Sequence, residues 1–193
     1  IAARALGKEV PGITINRYCA SGLESISMAV GKIKAGFGHI YIAGGTESMS
    51  MIPMTGYKLA PSFKANLENI NYHVSMGATA EAVADKYGIT REMSDEFAVN
   101  SHAKAGAAID SKKFDNEIVP ITVDEVFVED GKRVTKTHTV SQDEGVRRDT
   151  SLEGLARLRP AFRQKGVVTA GNASQTSDGS AFTLIVSEKM VKE

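Results

Sequence analysis

The chain contains one cysteine, Cys19, in the run Asn16-Arg17-Tyr18-Cys19-Ala20-Ser21-Gly22, and covalent chemistry is most readily placed there. A lone cysteine is by default a small buried hydrophobe. This one follows a short apolar segment and precedes a helical pattern, so its thiol would stand at a helix start. Unpaired N–H groups and the positive end of the helix dipole favour thiolate at such a place. The small neighbours Ala20, Ser21 and Gly22 keep the approach open. A thiolate suits a thioester substrate, because exchanging one thioester for another is nearly energy-neutral and sulfur is nucleophilic near neutral pH. The four histidines, His39, His73, His102 and His138, read as surface or partly packed imidazoles, the commoner case for a histidine. A Cys/His dyad hydrolase is therefore a poor fit.

Other chemistries find less support. No CxxC pair or HExxH run offers metal-ligand spacing, no disulfide can form within a chain of one cysteine, and a reducing compartment fits best. The 23 Lys and Arg residues balance 23 Asp and Glu residues without a block of one sign, which disfavours nucleic acid and anionic membrane as partners. No apolar run approaches the roughly 18 residues of a membrane span, and no basic-then-apolar signal pattern opens the chain. Gly36 and Gly38 fail as a dinucleotide fingerprint, because Tyr41 stands where the last glycine is required. Asn172-Ala173-Ser174 fits a glycosylation acceptor, a coincidence in a chain without secretory features.

The elements that must hold Cys19 follow from periodicity. With 193 residues, 42% of them hydrophobic, the chain can bury a core of one domain or two small ones. The opening run to Gly12 reads as the tail of a helix. Ile13 to Asn16 reads as a short strand, and Leu23, Ile26, Val30 and Ile33 as one helix face, stopped by Gly36 and Gly38. His39 to Ala43 reads as a strand ending in a Gly44-Gly45 turn, which gives a βαβ unit with Cys19 and the Gly44 to Ser48 turn at the carboxyl ends of parallel strands.

From Met51 to Val74 periodicity lapses, as in a long surface loop. Ala80, Val83, Ala84 and Tyr87 then share a helix face ended by Gly88, and a second helix with Met93, Phe97 and Ala108 at apolar positions follows Thr90. Glu117 to Val123 and Val126 to Lys136 are strand-like around an Asp130-Gly131 hairpin turn. Thr150 and Glu153 form a capping box for a helix bearing Leu152, Leu155 and Leu158. Ala181 to Ser187 is a continuous apolar strand of the buried, parallel-sheet type.

Three segments in this order, NRYCASGLESI, AGGTESMS (43–50) and AGNASQTSDGSA (170–181), resemble signature segments of the thiolase family. MGATAEAVADKYGITREMSDEFAVNSHAKA, EIVPI and LARLRPAF are similar to thiolase segments too, so the resemblance covers essentially the whole chain. It implies an α/β fold: part of a thiolase-like five-layered α/β arrangement with an inserted α+β loop domain. Residues 1–50 would be partial N-terminal core, 51–169 the loop domain covering CoA, and 170–193 the last strand of that core. The family's first two strands would precede this segment and its second half would follow it, so the gene is expected to be longer.

By the same resemblance, Cys19 attacks the keto carbonyl of 3-ketoacyl-CoA, releases acetyl-CoA and holds the shortened acyl group until CoA removes it. The Cys19 backbone N–H belongs to an oxyanion hole. A second cysteine, a histidine and an asparagine-bound water complete the family's machinery from the second half. Met76, Arg147 and Ser174 match residues that contact CoA, and Leu67, Phe162 and Ala170 match apolar wall positions. CoA is a substrate and no cofactor is implied.

The implied partners are acyl-CoA and CoA, with assembly as a homodimer or homotetramer in the bacterial cytoplasm or an organelle matrix. Two departures bear on the subgroup. Ser75 stands where acetoacetyl-type members often have histidine, and His102 where glutamine is common. The loop between Ser50 and Met76, shorter than in tetramer-forming acetoacetyl-type members, and its ending HVSMG, which resembles the degradative members, favour a 3-ketoacyl-CoA thiolase of fatty-acid β-oxidation. The alternatives are an acetoacetyl-CoA thiolase working in condensation and a non-catalytic CoA- or lipid-binding module. A structural or assembly role for an inactive piece is a further one.

Overall fold

A computed structural model describes residues 2–192 of the chain. The residues form two compact units, one built from Ile1–Leu59 with Thr176–Glu193 and the other from Ala60–Gln175.

The first unit opens with a short helix, α1 (Ala2–Leu6), and an extended segment leading to α2 (Ser21–Lys34). Residues 13–16 are extended but form no strand, contrary to the sequence expectation. An apolar, β-branched run becomes a strand only where another strand takes its N–H and C=O groups, and the sheet of this unit pairs elsewhere.

That sheet joins β1 (Ile40–Ser48) to β4 (Asp178–Val186), and the pairing is antiparallel, from Ile40 opposite Val186 to Ser48 opposite Asp178. The expected βαβ unit is thus replaced by a helix followed by two antiparallel strands, and the expected buried parallel strand is β4, with Phe182 and Leu184 exposed.

Gly44 and Gly45 lie inside β1 rather than in a turn after it. A Cβ on Gly44 would overlap the Ala181 carbonyl and come within 2.7 Å of Phe182 Cα, so close approach of the partner strand requires the glycine. Helix α2 packs on β1, and Ala29 and Ala43 are buried. Leu23 and Val30 remain exposed, so the buried stripe of α2 is narrower than its apolar periodicity. The helix stops in a Schellman motif: Phe37 N–H donates to Lys32 O, Gly36 N–H donates to Ile33 O, and Gly36 takes φ +78°.

The second unit begins with α3 (Phe63–Glu68) and a 3-10 turn (Ile70–His73), short elements within the stretch expected to be loop. The helices α4 (Met76–Tyr87) and α5 (Arg91–Asp110) follow, separated by Gly88 in the left-handed conformation at φ +65°. Their buried positions are Glu81 and Ala84 on α4 and Asp95, Ala98 and Gly106 on α5. Tyr87, Met93 and Phe97, expected to face the core, are exposed.

A hairpin of β2 (Ile121–Glu129) and β3 (Lys132–Val140) turns at Asp130-Gly131, whose φ values of +50° and +74° are those of a type I′ turn. Both strands begin and end further along the chain than the sequence pattern placed them. Helix α6 (Leu152–Ala156) is capped by Ser151, which accepts from Gly154 N–H, and not by the expected Thr150 and Glu153 box. Thr150 instead donates to Arg147 O, and Glu153 pairs with Arg157. After β4, α7 (Glu188–Lys192) ends the described chain. Among the described residues no helix is long and apolar enough to cross a membrane.

Candidate active site

Cys19 lies in the turn that feeds α2, and its side chain is exposed. Local hydrogen bonds define that turn. Asn16 Oδ1 accepts from Tyr18 N–H at 2.9 Å, Ala20 N–H donates to Arg17 O, and Ser21 N–H donates to Tyr18 O. Ser21 Oγ accepts from Arg17 N–H at 2.7 Å and donates to Tyr18 O. Arg17 is also ion-paired with Glu24 on the first turn of α2.

These contacts hold Tyr18 at φ +50°, a conformation L-residues rarely adopt, immediately before the thiol. The N-cap of α2 is Ala20, and no side chain caps the helix. The Ala20 and Ser21 N–H groups are engaged by the turn, so the first-turn amides left without a side-chain cap are the next ones, at Gly22 and Leu23.

The same unit brings together pieces of the three motif segments. Ser25 of α2 places its hydroxyl 2.7 Å from Gly22 O and 3.4 Å from Gly44 O. At the far end of β1, Asp178 accepts from Ser50 N–H at 2.9 Å, from the Ser50 hydroxyl, and from Ser48 Oγ at 3.4 Å. The Ser50 hydroxyl is the main reason the Asp178 carboxyl lies below the usual carboxylate range.

The residues matched to CoA contacts belong to the second unit. Met76 is the first residue of α4 and is exposed, and the next residue, Gly77, packs so tightly on the Phe162 ring that a Cβ there would overlap it. Phe162 is joined to the Ala170 segment by main-chain pairing: Ala161 N–H donates to Val168 O at 2.9 Å and Pro160 bridges Thr169. The start of α4, which carries Met76, and the segment leading to Ala170 thus both meet the segment that carries Phe162.

Gly145, two residues before Arg147, packs against the side chain of Gln175, the residue after Ser174. The Arg147 side chain is exposed, while its N–H donates to His102 Nδ1 at 3.1 Å. The neighbouring Arg148 is held by Asp110 through two hydrogen bonds. Leu67, on α3, is exposed.

What sequence reasoning missed is the polar framework beneath these residues. Glu81, 2% exposed, accepts from Val168 N–H at 2.9 Å and Val167 N–H at 3.0 Å and lies 3.3 Å from Arg163. Asp95, 3% exposed, accepts from Arg91 Nε and from Asn172 Nδ2. Asn172 also donates to Val167 O and accepts from Thr169 N–H. Both amide hydrogens of Asn172 are engaged, so it is not free to carry a glycan. The sequence signal was the placement of charged residues on the helix faces that also carry Ala84 and Ala98.

An α/β layer displaying a thiol at an open helix start, together with a helical unit that carries a two-residue carboxylate framework, narrows the class before any comparison. The model of the family described as thiolase, N-terminal domain, matches residues 2–189, and the chain belongs to that family. It is 51% identical over 179 residues to a Bacillus subtilis protein named 3-ketoacyl-CoA thiolase, across 92% of this chain and 46% of that protein. Among solved structures it resembles human mitochondrial 3-ketoacyl-CoA thiolase in complex with CoA, with TM-score 0.78 and 36% identity over 97% of this chain and 48% of that one. It also resembles Bacillus anthracis acetyl-CoA acetyltransferase, with TM-score 0.71 and 39% identity over 94% of this chain and 47% of that one. The chain spans about half the length of the curated relatives it matches.

Proposed function

We propose that this chain carries the nucleophile and part of the CoA site of an acetyl-CoA acyltransferase of the thiolase type. The carrying observation is the exposed Cys19 thiol beside the start of α2, where Ala20 leaves the helix without a side-chain cap. In the thiolytic direction Cys19 Sγ bonds to C3 of 3-ketoacyl-CoA, and the C2–C3 bond breaks toward C2. The departing acetyl-CoA enolate takes a proton, and the chain keeps the shortened acyl group as a thioester until CoA sulfur displaces it. N–H groups at the turn stabilise the oxyanion of each tetrahedral intermediate.

The family resemblance assigns proton delivery to a cysteine of the second half. Similarity to a protein named 3-ketoacyl-CoA thiolase supports degradation of fatty acyl chains over condensation, which is the same chemistry reversed. Met76, Phe162 and Ala170 would line pantetheine, with Leu67 beside them, while Arg147 and Ser174 would meet its polar portions and the nucleotide. The human neighbour's complex with CoA supports CoA as the bound species. The family resemblance implies assembly as a homodimer or homotetramer. The cytoplasm or an organelle matrix is the matching location.

The deciding experiment is incubation of the chain with acetyl-CoA and a medium-chain 3-ketoacyl-CoA, followed by intact-mass and peptide mass spectrometry. An acyl adduct on Cys19, absent in Cys19→Ser, is expected. CoA binding without an adduct at any acyl-CoA concentration would point instead to a non-catalytic binding module.

A further inference from the structure

Glu81 is a buried carboxylate that the proposed chemistry does not use. It stands on α4 five residues after Met76, and its two oxygens accept the N–H groups of Val167 and Val168. Arg163, which also pairs with Asp85, lies against it, so helix and segment are joined by charge as well as by main-chain hydrogen bonds. Gly166 completes the fit, because a Cβ there would overlap Glu81 Oε1 and stand 2.9 Å from Oε2. The residues on either side of this contact are Phe162 and Ala170, and Phe162 in turn packs on Gly77 beside Met76.

A surface role cannot account for the burial. A carboxylate 2% exposed is costly unless it is fully partnered, and its partners are main-chain groups whose position it thereby determines. Asp95 and Asn172 fasten the far end of the same segment to α5, so residues 166–172 are held at both ends. The consequence falls on the three apolar residues of the pantetheine wall, while the Arg147 main chain is held by His102.

We propose that Glu81 is a positioning residue for acyl-CoA: by binding the Val167 and Val168 amides it sets the separation between Met76 on α4 and the Phe162–Ala170 segment, and so the width of the pantetheine channel. This rests on the CoA reading above. It assigns to Glu81 a selective effect, on ligands that contain pantetheine and not on the nucleotide alone.

The test is calorimetric titration of the 193-residue chain with CoA and with adenosine 3′,5′-bisphosphate, which lacks pantetheine, for the wild type, Glu81→Gln and Gly166→Ala. Glu81→Gln removes the charge and one acceptor, whereas Gly166→Ala displaces the carboxylate without changing it. Both are expected to weaken CoA binding about tenfold, the equivalent of one charged hydrogen bond, while binding of the bisphosphate stays within about twofold of wild type. Hydrogen exchange at Val167 and Val168 should accelerate in both.

Equal losses for the two ligands, unchanged CoA affinity in folded variants, or loss of the fold in both variants would each overturn the positioning role. A wild-type chain that binds neither ligand would instead overturn the CoA reading from which the proposal starts.

Discussion

Helices α2 and α4 both begin at a candidate site residue, α2 just after Cys19 and α4 with Met76, yet they finish their N-termini in opposite ways. α4 starts at Met76 under a Ser75 hydroxyl that accepts from Ala78 N–H, and α3, α5 and α6 are capped likewise by Ser62, Thr90 and Ser151. α2, which starts beside Cys19, has Ala20 at its cap and no side-chain acceptor. The second unit uses hydroxyls to close its helices and buried carboxylates to fasten its loops. In the first unit side-chain hydrogen bonds shape the Asn16–Ser21 turn, and the start of α2 is left without a side-chain cap. A capped N-terminus contributes more to stability, and an open one offers its dipole to a thiolate or an oxyanion.

The comparison breaks most visibly at two glycines. Gly44→Ala drives a Cβ into the main chain of β4, which cannot yield without opening the β1–β4 register, whereas Gly77→Ala meets the Phe162 side chain, which can rotate away. Gly44→Ala should cost about 3 kcal/mol or more and Gly77→Ala about 1 kcal/mol, as overpacking against backbone and against a movable ring. Chemical denaturation of each variant gives the difference. Equal costs would mean that the two sheet strands are less tightly joined than their register shows.

The local features of both regions were legible in the sequence because their causes are local. Asp130-Gly131 needs positive φ at both positions and announces its hairpin, Thr90 and Gly88 mark helix ends, and Cys19 stands where an apolar run gives way to helical spacing. Strand direction was not legible. An apolar run such as Ala181–Ser187 has the same composition in a parallel or antiparallel sheet, and the choice rests on a partner far away in the chain, as with Gly44 opposite Phe182.

Glu81 and Asp95 were illegible for a related reason. A charge in a helical pattern reads as solvent-facing, and the amides that satisfy Glu81 lie 86 and 87 residues further on. Of the candidate site, the position of Cys19, the proposed nucleophile, follows from local pattern. The grouping of Met76 with Phe162 and Ala170 depends on contacts that no periodicity encodes.

Smaller effects sharpen the contrast between the units. Ser75→Ala removes a cap with extended backbone geometry (φ −67°, ψ 157°) and should cost about 1 kcal/mol, lowering the melting temperature by about 2–4 °C. Ala20→Ser should change stability by less than about 0.5 kcal/mol, because φ −89° and ψ 0° aim the new hydroxyl away from the N2 and N3 amides. A gain as large as the Ser75→Ala loss would show that α2 can be capped and that its open end is not built into the turn.

Acidification tests the joint between β1 and β4. The Ser50 hydrogen bonds depress the folded-state pKa of Asp178, so its contribution is present above the ordinary carboxylate value of about 4 and is lost as pH falls through the lowered one. Asp178→Asn should lower the melting temperature at neutral pH and flatten its dependence in the acid range. An unaltered acid dependence would assign the acid sensitivity of the chain to other carboxylates, such as Asp85 or Asp110, which arginines hold low in the second unit.

The finest test is Tyr18→Gly. A tyrosine at φ +50° carries strain of about 1–2 kcal/mol, and glycine would relieve it while giving back about 0.4–1 kcal/mol through the entropy of the unfolded chain. Stability should therefore hold level or rise slightly. If the strained turn exists to present Cys19 at the open start of α2, the loosened turn should slow acylation of Cys19 even as the protein becomes no less stable, and the rate of adduct formation from acetyl-CoA measures it. Acylation at the wild-type rate in a variant of equal stability would reduce Tyr18 to a tolerated irregularity and leave the uncapped helix as the feature that distinguishes the two regions.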